Sequence, residues 1–206
     1  MKYLIPSGVV WVVVSAMAVG GIELGEMELG SEPESVFVIE GDFKVSEVDG
    51  ERVIEMGTEP VEECMMLFGE TLRGSASIRG KVKAGKKGRS YPTFGVGLYG
   101  VSGYRLRVVP VRDEIEIVEG DDVVASGRFD WSGQGWTWLE LSIQLEEDGG
   151  WVVEGRAWEE GFQPPDEALA RHEFDAERVM GKAGILGTPY TGLPTYFGEL
   201  EVVEGK

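Results

Sequence analysis

Two predicted strands carry aromatic and polar side chains whose types suit the binding of sugar rings. Trp138 and Glu140 alternate with leucines in the first strand, and Arg156 and Trp158 alternate with small residues in the second. Successive side chains of a strand point to opposite faces of the sheet, so these four residues share one face. A flat indole can cover the apolar side of a pyranose ring, while carboxylate and guanidinium groups pair with vicinal hydroxyls. We therefore predict a carbohydrate-binding face here.

A hairpin loop at Asp148-Gly149-Gly150 joins the two strands. A three-residue loop that contains glycine suits a hairpin, because one of its residues needs a positive φ. This loop predicts a register that sets Glu140 opposite Trp158. The same register sets Ser142 opposite Arg156 and keeps both faces of the hairpin intact.

The other tryptophans of this stretch are expected to pack closer to the core. Trp151 falls in register with the aliphatic face and is predicted to be buried. Trp131 and Trp136 lie in a glycine-containing loop before the first strand. Two interpretations stay open for them, namely loop aromatics that contact a ligand and side chains that cover the core.

A second predicted hairpin, residues 93–109, adds three candidate ligand-binding residues. Two glycines at alternate positions share a face with Tyr99 and lie near Arg105 and Arg107. Glycine weakens a strand, so this pair indicates either a close approach of backbone or room for a ligand above the sheet. The alternative is that the long arginine side chains lie across the glycines with their stems covered.

The composition is that of one acidic domain. The chain has 206 residues, 42% of them hydrophobic, which is enough to bury one full core. The formal net charge of -18 disfavours nucleic acid and anionic membranes, because a polyanion is repelled over the range that salt screening sets. Cys64 is the only cysteine and cannot form a disulfide within the chain. Its alternation with Met66 and Phe68 predicts a small, buried hydrophobic side chain.

The N-terminal residues have the pattern of a secretory signal peptide. A positive charge precedes an apolar run from Tyr3 to Met17, and a small-x-small cleavage pattern follows. We predict a signal peptide at residues 1–18, a flexible acidic segment at 19–35 and the folded domain at 36–206. The mature protein is expected to be secreted or periplasmic, with no membrane insertion after cleavage. An uncleaved membrane anchor is the alternative.

Short strands separated by glycine-containing turns fill the rest of the chain. Period-two alternation recurs from residue 36 to residue 203, without a long amphipathic helical pattern. This pattern predicts an all-β fold of two packed antiparallel sheets. Two short helical segments are expected within it. One begins at an Asp166 cap and runs through Arg171, and the other covers Ala176 to Met180.

The order of the last strands carries a family resemblance. The segments are Trp138-Leu139-Glu140-Leu141, Gly155-Arg156-Ala157-Trp158, Gly181-Lys182-Ala183-Gly184-Ile185 and Tyr196-Phe197-Gly198-Glu199-Leu200-Glu201-Val202. This order resembles concanavalin A-like lectin/glucanase domains of the laminin-G-like jelly-roll type, over roughly residues 36–203. The resemblance implies a two-sheet jelly-roll sandwich with a glycan-binding or glycan-cleaving surface on one sheet. Gly198 stands where the closing strand of these domains commonly has an aspartate, so no role of that carboxylate is implied here.

A row of carboxylates provides the one enzymatic motif. The segment Glu114 to Glu119 resembles the Glu-x-Asp-x-x-Glu signature of laminarinase-type glycoside hydrolases, with Glu116 in place of the aspartate. The signature implies a nucleophile and an acid about 5 Å apart, here Glu114 and Glu119. The competing interpretation is a solvated hairpin tip beside Gly120-Asp121-Asp122. With one histidine and no zinc spacing or phosphate-binding loop, we expect no metal, no cofactor and no catalytic residue.

These observations favour an exported, non-catalytic module that binds a polysaccharide or another glycan. Two alternatives stay open: a glycoside hydrolase of laminarinase-like type, and a structural cell-envelope interaction domain without a small ligand. The candidate ligand-binding residues are Trp138, Glu140, Arg156, Trp158, Tyr99, Arg105 and Arg107.

Overall fold

The chain forms short strands along most of its described length. This computed structural model describes residues 17–59, 61–177 and 179–205. The strands are β1 (Met17–Gly21), β2 (Val36–Glu40), β3 (Phe43–Val48), β4 (Glu51–Met56), β5 (Cys64–Arg73), β6 (Ala76–Lys83), β7 (Thr93–Leu98), β8 (Tyr104–Val109), β9 (Glu114–Glu119), β10 (Asp122–Arg128), β11 (Thr137–Leu145), β12 (Trp151–Glu159), β13 (Ala170–Phe174), β14 (Met180–Thr188) and β15 (Thr195–Glu204). A 3-10 turn, Pro110–Arg112, connects β8 to β9.

The strands assemble into two antiparallel sheets. The eight-stranded sheet has the order β13-β12-β11-β6-β15-β4-β3, with β1 paired to β15. The seven-stranded sheet has the order β10-β9-β8-β7-β14-β5-β2. Every strand pairing is antiparallel. The predicted all-β sandwich of two antiparallel sheets is therefore confirmed.

The core lies between the sheets and consists of inward side chains from both. In β11, Leu139, Leu141 and Ile143 point inward with 0% exposure, as their alternation predicts, and Cys64 is also buried. The largest fully buried side chains are Phe43, Phe68, Phe94, Phe197, Ile54, Met56, Met66, Ile78, Leu98, Leu106, Ile115 and Ile117. Burial of one such side chain is favourable by roughly 1.5–3 kcal/mol. The two inner faces therefore hold the sheets together.

The hairpin of β11 and β12 has the predicted faces but a different register. Glu140 lies opposite Arg156 rather than Trp158. The expected register is wrong by two residues because the loop between the last paired residues is 146–150, which is longer than predicted. A backbone hydrogen bond of 2.8 Å joins the first and last residues of this loop, and Gly149 takes the positive φ of 90°. Because side chains alternate with a period of two, a shift of two positions leaves every side chain on its predicted face.

The first predicted helix does not form. The sequence predicts helix over Asp166–Arg171, but residues 166–169 are irregular and β13 begins at Ala170, at the edge of the eight-stranded sheet. The strand is favoured because it brings Phe174 against Tyr104 and Trp151, with ring centroids 4.6 and 6.2 Å apart. Packing of this kind overrides a local capping signal. The second predicted helix, at 176–180, is also wrong over its described residues, since no helix forms there and β14 begins at its end.

The residues before β2 lie against the eight-stranded sheet. β1 pairs with the last residues of β15. Residues 22–35, which we call the N-terminal strap, continue across the sheet and exchange two backbone hydrogen bonds of 2.8 Å with Val45 of β3. Ile22 and Leu24 of the strap pack against the core. The strap thus covers part of the sheet at its β3 and β4 side.

The predicted domain boundaries are only partly within the described residues. Residues 1–16 of the expected signal peptide lie outside them, and the expected cleavage site after Ala18 falls within β1. The division into a signal peptide, a flexible segment at 19–35 and a domain at 36–206 stays a prediction. Within the described residues, no helix is long and apolar enough to cross a membrane.

Candidate functional site

The outer face of the eight-stranded sheet carries four of the predicted ligand-binding residues. Register places one row of residues side by side on four neighbouring strands: Trp158, Trp138, Lys81 and Gly198. The next row contains Arg156, Glu140 and Arg79. We call the surface formed by Trp138, Trp158, Arg79, Glu140 and Arg156 the indole face. Alternation along β11 and β12 brings the four predicted residues together on it.

The two indoles of this face form a stacked pair. Their ring centroids are 6.1 Å apart, and the ring planes differ by 10°. The guanidinium of Arg79 lies over both rings, 4.5 Å from the centroid of Trp138 and 5.3 Å from that of Trp158. Such contacts are favourable electrostatically. Trp158 is only 5% exposed, whereas Trp138 is partly exposed, so Trp138 supplies the accessible aromatic surface.

Arg79 is the residue of this face that the sequence prediction missed. Its Nε is buried without a hydrogen-bond partner, and no carboxylate of the described residues lies within ion-pair distance of its guanidinium. A guanidinium offers planar donors that match carboxylates and paired hydroxyls. Alternation in β6 predicts that Arg79 faces outward, but only the pairing of β6 with β11 places it on the indoles.

Ion pairs extend the polar part of the indole face. The Arg156 guanidinium lies 3.5 Å from Glu140 and 3.0 Å from Glu154, and these three side chains are 18–29% exposed. Ser142 lies opposite Glu154, whereas the predicted register placed it opposite Arg156. Partly exposed pairs of this kind contribute about 0–1 kcal/mol to stability. Their main effect here is to hold hydrogen-bonding groups in place at the surface.

Lys81 is the buried cation at the centre of the same sheet face. Its Nζ lies 2.6 Å from both Glu51 and Glu199 and 3.9 Å from Glu160, while its side chain is only 4% exposed. Burial lowers the pKa of Lys81, but hydrogen bonds to Glu199 and Glu51 outweigh that effect and raise the pKa above its ordinary value. The ammonium therefore stays charged beneath these carboxylates.

The same lysine lies against the glycine in the closing strand. A Cβ at Gly198 would make van der Waals contact at 3.4 Å with Lys81 Cε and with Val53 Cγ1. A bulge in β15 follows directly, and Glu199 within it has a φ of 47°, in the left-handed region. Bulges redirect side chains. This one turns the Glu199 carboxylate toward Lys81.

Trp131 and Trp136 cover buried groups rather than offering open rings. Trp131 is 8% exposed, packs edge-on against Phe94 with centroids 5.6 Å apart, and donates its Nε1–H to Thr137 at 3.1 Å. Trp136 is 4% exposed and donates to the Asp49 carboxylate at 3.2 Å. Of the two interpretations left open by the sequence, the structure favours the covering role.

The other three predicted residues lie away from the indole face. Arg105 and Arg107 belong to β8 in the seven-stranded sheet, so the structure does not bring them together with the indole face. Arg105 binds Glu63 at 2.7 Å, and its stem lies 3.4 Å from the position of a Cβ at Gly97, as the alternative interpretation predicted. Tyr99 is 8% exposed, and burial raises the pKa of its phenol. The alternation of side chains predicts which residues share a face of a strand, but it does not predict to which sheet the strand belongs.

Glu114 and Glu119 of β9 do not form the pair that the hydrolase signature implies. β9 pairs with β8 without a register shift, so Glu114 and Glu119, an odd number of positions apart, point to opposite faces. At about 3.3 Å per residue, their backbones are roughly 16 Å apart. Glu116 is 3% exposed and lies 2.8 Å from Arg107, as part of a structural ion pair. Glu114 and Glu119 therefore cannot provide the two groups about 5 Å apart that the signature implies.

Within the described ranges, no group of three or more His, Cys, Asp or Glu side chains is placed to hold a metal ion. No protein-family model and no curated protein sequence matches the chain.

Solved structures show which fold this sandwich has. The carbohydrate-binding module CBM66 from Bacillus subtilis is 11% identical with a TM-score of 0.56, covering 82% of this chain and 96% of its own. The carbohydrate recognition domain of Emp47p is 12% identical with a TM-score of 0.52, covering 86% and 92%. Lectin I-B4 from Griffonia simplicifolia is 12% identical with a TM-score of 0.50, covering 82% and 92%. The chain therefore has the concanavalin A-like jelly-roll fold that its sequence pattern indicated.

Proposed function

We propose that this chain is a non-catalytic module that binds a polysaccharide on the indole face. One observation carries the proposal. The Arg79 guanidinium lies on the Trp138 ring without a carboxylate partner among the described residues, on an outer sheet face that also holds Glu140 and Arg156. An aromatic surface, unused planar donors and acceptors therefore stand side by side.

This combination matches the chemistry of a sugar. The C–H side of a pyranose ring is apolar and packs on an indole, while its rim of hydroxyls both donates and accepts hydrogen bonds. Trp138 provides the first contact. The guanidinium of Arg79 can donate to two neighbouring hydroxyls, and the Glu140 carboxylate accepts from a third.

The form of the surface favours a polymer over a small free sugar. The indole face lies on the outer side of a sheet, where Trp138, Arg79, Glu140 and Arg156 are partly exposed, so a ligand is contacted from one side only. A chain of sugars can gain affinity by repeating such contacts along its length. The names of the three similar structures, a carbohydrate-binding module, a carbohydrate recognition domain and a lectin, favour the same ligand class.

Export fits this function. A polysaccharide-binding module meets its ligand outside the cytoplasm, and the signal-peptide pattern at residues 1–18 points the same way. We therefore include a secreted or periplasmic location in the proposal.

The test is a binding array of neutral and acidic polysaccharides, with the release of reducing ends measured on every ligand that binds. Trp138→Ala should weaken binding about thirtyfold, the effect of losing ~2 kcal/mol at a contact centre. The matched control is Phe37→Ala, which removes an aromatic side chain 67% exposed on the seven-stranded sheet. Thermal unfolding of both variants shows that the fold is kept.

Three results would overturn the proposal. An unchanged affinity of Trp138→Ala would show that the ligand lies elsewhere, and an equal loss in Phe37→Ala would show a non-specific effect. Release of reducing ends by the wild-type chain would make it an enzyme.

A further inference from the structure

A cleft opens on the eight-stranded sheet beyond Lys81, on the side away from the indoles. Its volume is about 440 Å³, within the size range of small-molecule sites. It lies between the N-terminal strap and the bulge of β15 and is lined by Ile22, Leu24, Gly25, Glu51, Arg52, Phe197, Gly198, Glu199 and Leu200. No residue of this cleft belongs to the indole face.

The walls of the cleft combine an apolar floor with a polar rim. Ile22, Leu24 and Leu200 pack against the core and expose only part of their surface. At the rim, the carboxylates of Glu51 and Glu199 are each 2.6 Å from Lys81 Nζ. Their side chains are nevertheless 52% and 53% exposed. Each carboxylate therefore has acceptor capacity left for a ligand.

The cleft continues the indole face across the strands. Trp158, Trp138, Lys81 and Gly198 are register neighbours, and Gly198 lines the cleft. Adjacent strands are about 4.8 Å apart, so the row from Trp158 to Gly198 spans roughly 14 Å. A ligand long enough to cover this distance would contact both surfaces. Its direction would be perpendicular to the strands.

We propose that the cleft is a second subsite for the same polysaccharide, which crosses the strands and places a neutral sugar residue between the strap and β15. This inference rests on the proposed function of the indole face. Neutrality follows from the balance of charges at the rim, because Glu51 and Glu199 offset Lys81 and Arg52 and leave no excess of positive charge for a uronic acid or a sulfated sugar. Hydroxyl groups instead donate to these carboxylates, while the ring packs on the apolar floor.

Gly25→Trp is the variant that tests the subsite. A Cβ at Gly25 has no heavy atom within 4 Å and its φ is not positive, so a side chain can start there without backbone strain, and Gly25 lines the cleft that the indole is meant to occupy. The matched control is Leu29→Trp, which places the same indole on the strap at a residue 50% exposed and outside the cleft lining. Glu51→Gln is a second variant that keeps the shape of the cleft and removes one charge.

The readout is affinity for a series of neutral oligosaccharides of increasing length, measured by calorimetry. In the wild type, affinity should rise with length until the cleft is filled. Gly25→Trp should lower affinity for long oligosaccharides about tenfold, or ~1.4 kcal/mol, and leave short ones unchanged. Glu51→Gln should show a smaller loss with the same dependence on length, and Leu29→Trp should behave as the wild type.

The outcomes separate this inference from the proposed function. Equal length dependence in the wild type, Gly25→Trp and Glu51→Gln would overturn the second subsite, while a loss in Trp138→Ala would leave the indole face in place. Tighter binding of acidic than of neutral oligosaccharides would overturn the neutral ligand. Failure of the wild type to bind any glycan would overturn both proposals.

Discussion

Both sheets carry arginine and glutamate on their outer faces, but the two faces use these groups differently. On the seven-stranded sheet, Arg105 is 7% exposed and is held by Glu63, and Glu116 is 3% exposed beside Arg107. On the indole face, Arg79 has no carboxylate partner among the described residues. The first face pairs its arginines with carboxylates, although Arg105 Nε, like Arg79 Nε, has no hydrogen-bond partner. The second face leaves the Arg79 guanidinium on an aromatic ring without a carboxylate.

This difference separates stability from recognition at residues of the same type. A buried, paired charge cannot be removed without leaving its partner uncompensated, so its loss affects folding. A charge stacked on an aromatic ring and otherwise unpaired contributes less to folding and more to what the surface can bind. Substitutions of matched arginines should therefore have opposite profiles on the two sheets.

The largest expected effect is on the seven-stranded sheet. Arg105→Met keeps an apolar stem over Gly97 but leaves the Glu63 carboxylate, 25% exposed, without its partner. We expect the free energy of unfolding to fall by about 2 kcal/mol, less than for a fully buried pair because Glu63 keeps contact with water. Urea denaturation measures this loss, and glycan affinity of the folded fraction should not change. A reduced affinity would remove the distinction between the two faces.

The matching substitution on the indole face should act on binding. Arg79→Met preserves packing on Trp138 and removes the planar donors, so affinity for the polysaccharide should fall about tenfold, or ~1.4 kcal/mol. Stability should change by less than about 1 kcal/mol. Arg79→Lys keeps the positive charge but lacks the planar donors. Its affinity should therefore be only slightly higher than that of Arg79→Met. Full recovery in Arg79→Lys would show that charge alone matters here.

The smallest expected effect concerns the buried lysine of the eight-stranded sheet. The hydrogen bonds to Glu199 and Glu51 raise the pKa of Lys81 above 10.5 despite its burial. A raised pKa means that the stabilisation is complete below the unfolded value and is lost as pH rises through the folded one. The stabilisation that the charged lysine provides should therefore be lost only at alkaline pH. Arginine does not titrate in that range, so Lys81→Arg should lack this loss.

Urea denaturation of the wild type and Lys81→Arg at a series of pH values measures the difference. The gap between their free energies of unfolding should be constant up to pH 10.5 and change beyond it, with the wild type losing more. Buried tyrosines titrate in both proteins and cancel in the difference. Parallel curves at every pH would mean that Lys81 gains nothing from its carboxylates on folding.

Local alternation was enough to predict the faces of the main hairpin. It grouped Trp138, Glu140, Arg156 and Trp158 correctly, because a strand has a side-chain period of two whatever its partners are. The register depended on loop geometry, and the loop 146–150 is longer than its glycines suggested. An error of two positions changed the cross-strand partners without changing the face.

Long-range pairing was beyond the reach of the sequence. Nothing local indicates that β6 pairs with β11, which places Arg79 on the indoles, or that β8 lies in the other sheet, which separates Arg105 from them. The edge strand β13 was mistaken for a helix because its stabilising partners, Tyr104 and Trp151, come from distant segments. The cleft was missed for the same reason, since its walls come from three separate segments.

The last two strands of the chain lie in the middle of the two sheets. β14 lies between β7 and β5, and β15 lies between β6 and β4. Neither sheet can close until residues 180–204 have been synthesised, so folding of the sandwich must wait for them. Pairing over such sequence distances is slow, and the waiting strands expose apolar faces. The sandwich is therefore expected to fold as one unit once β15 is available, rather than segment by segment during synthesis.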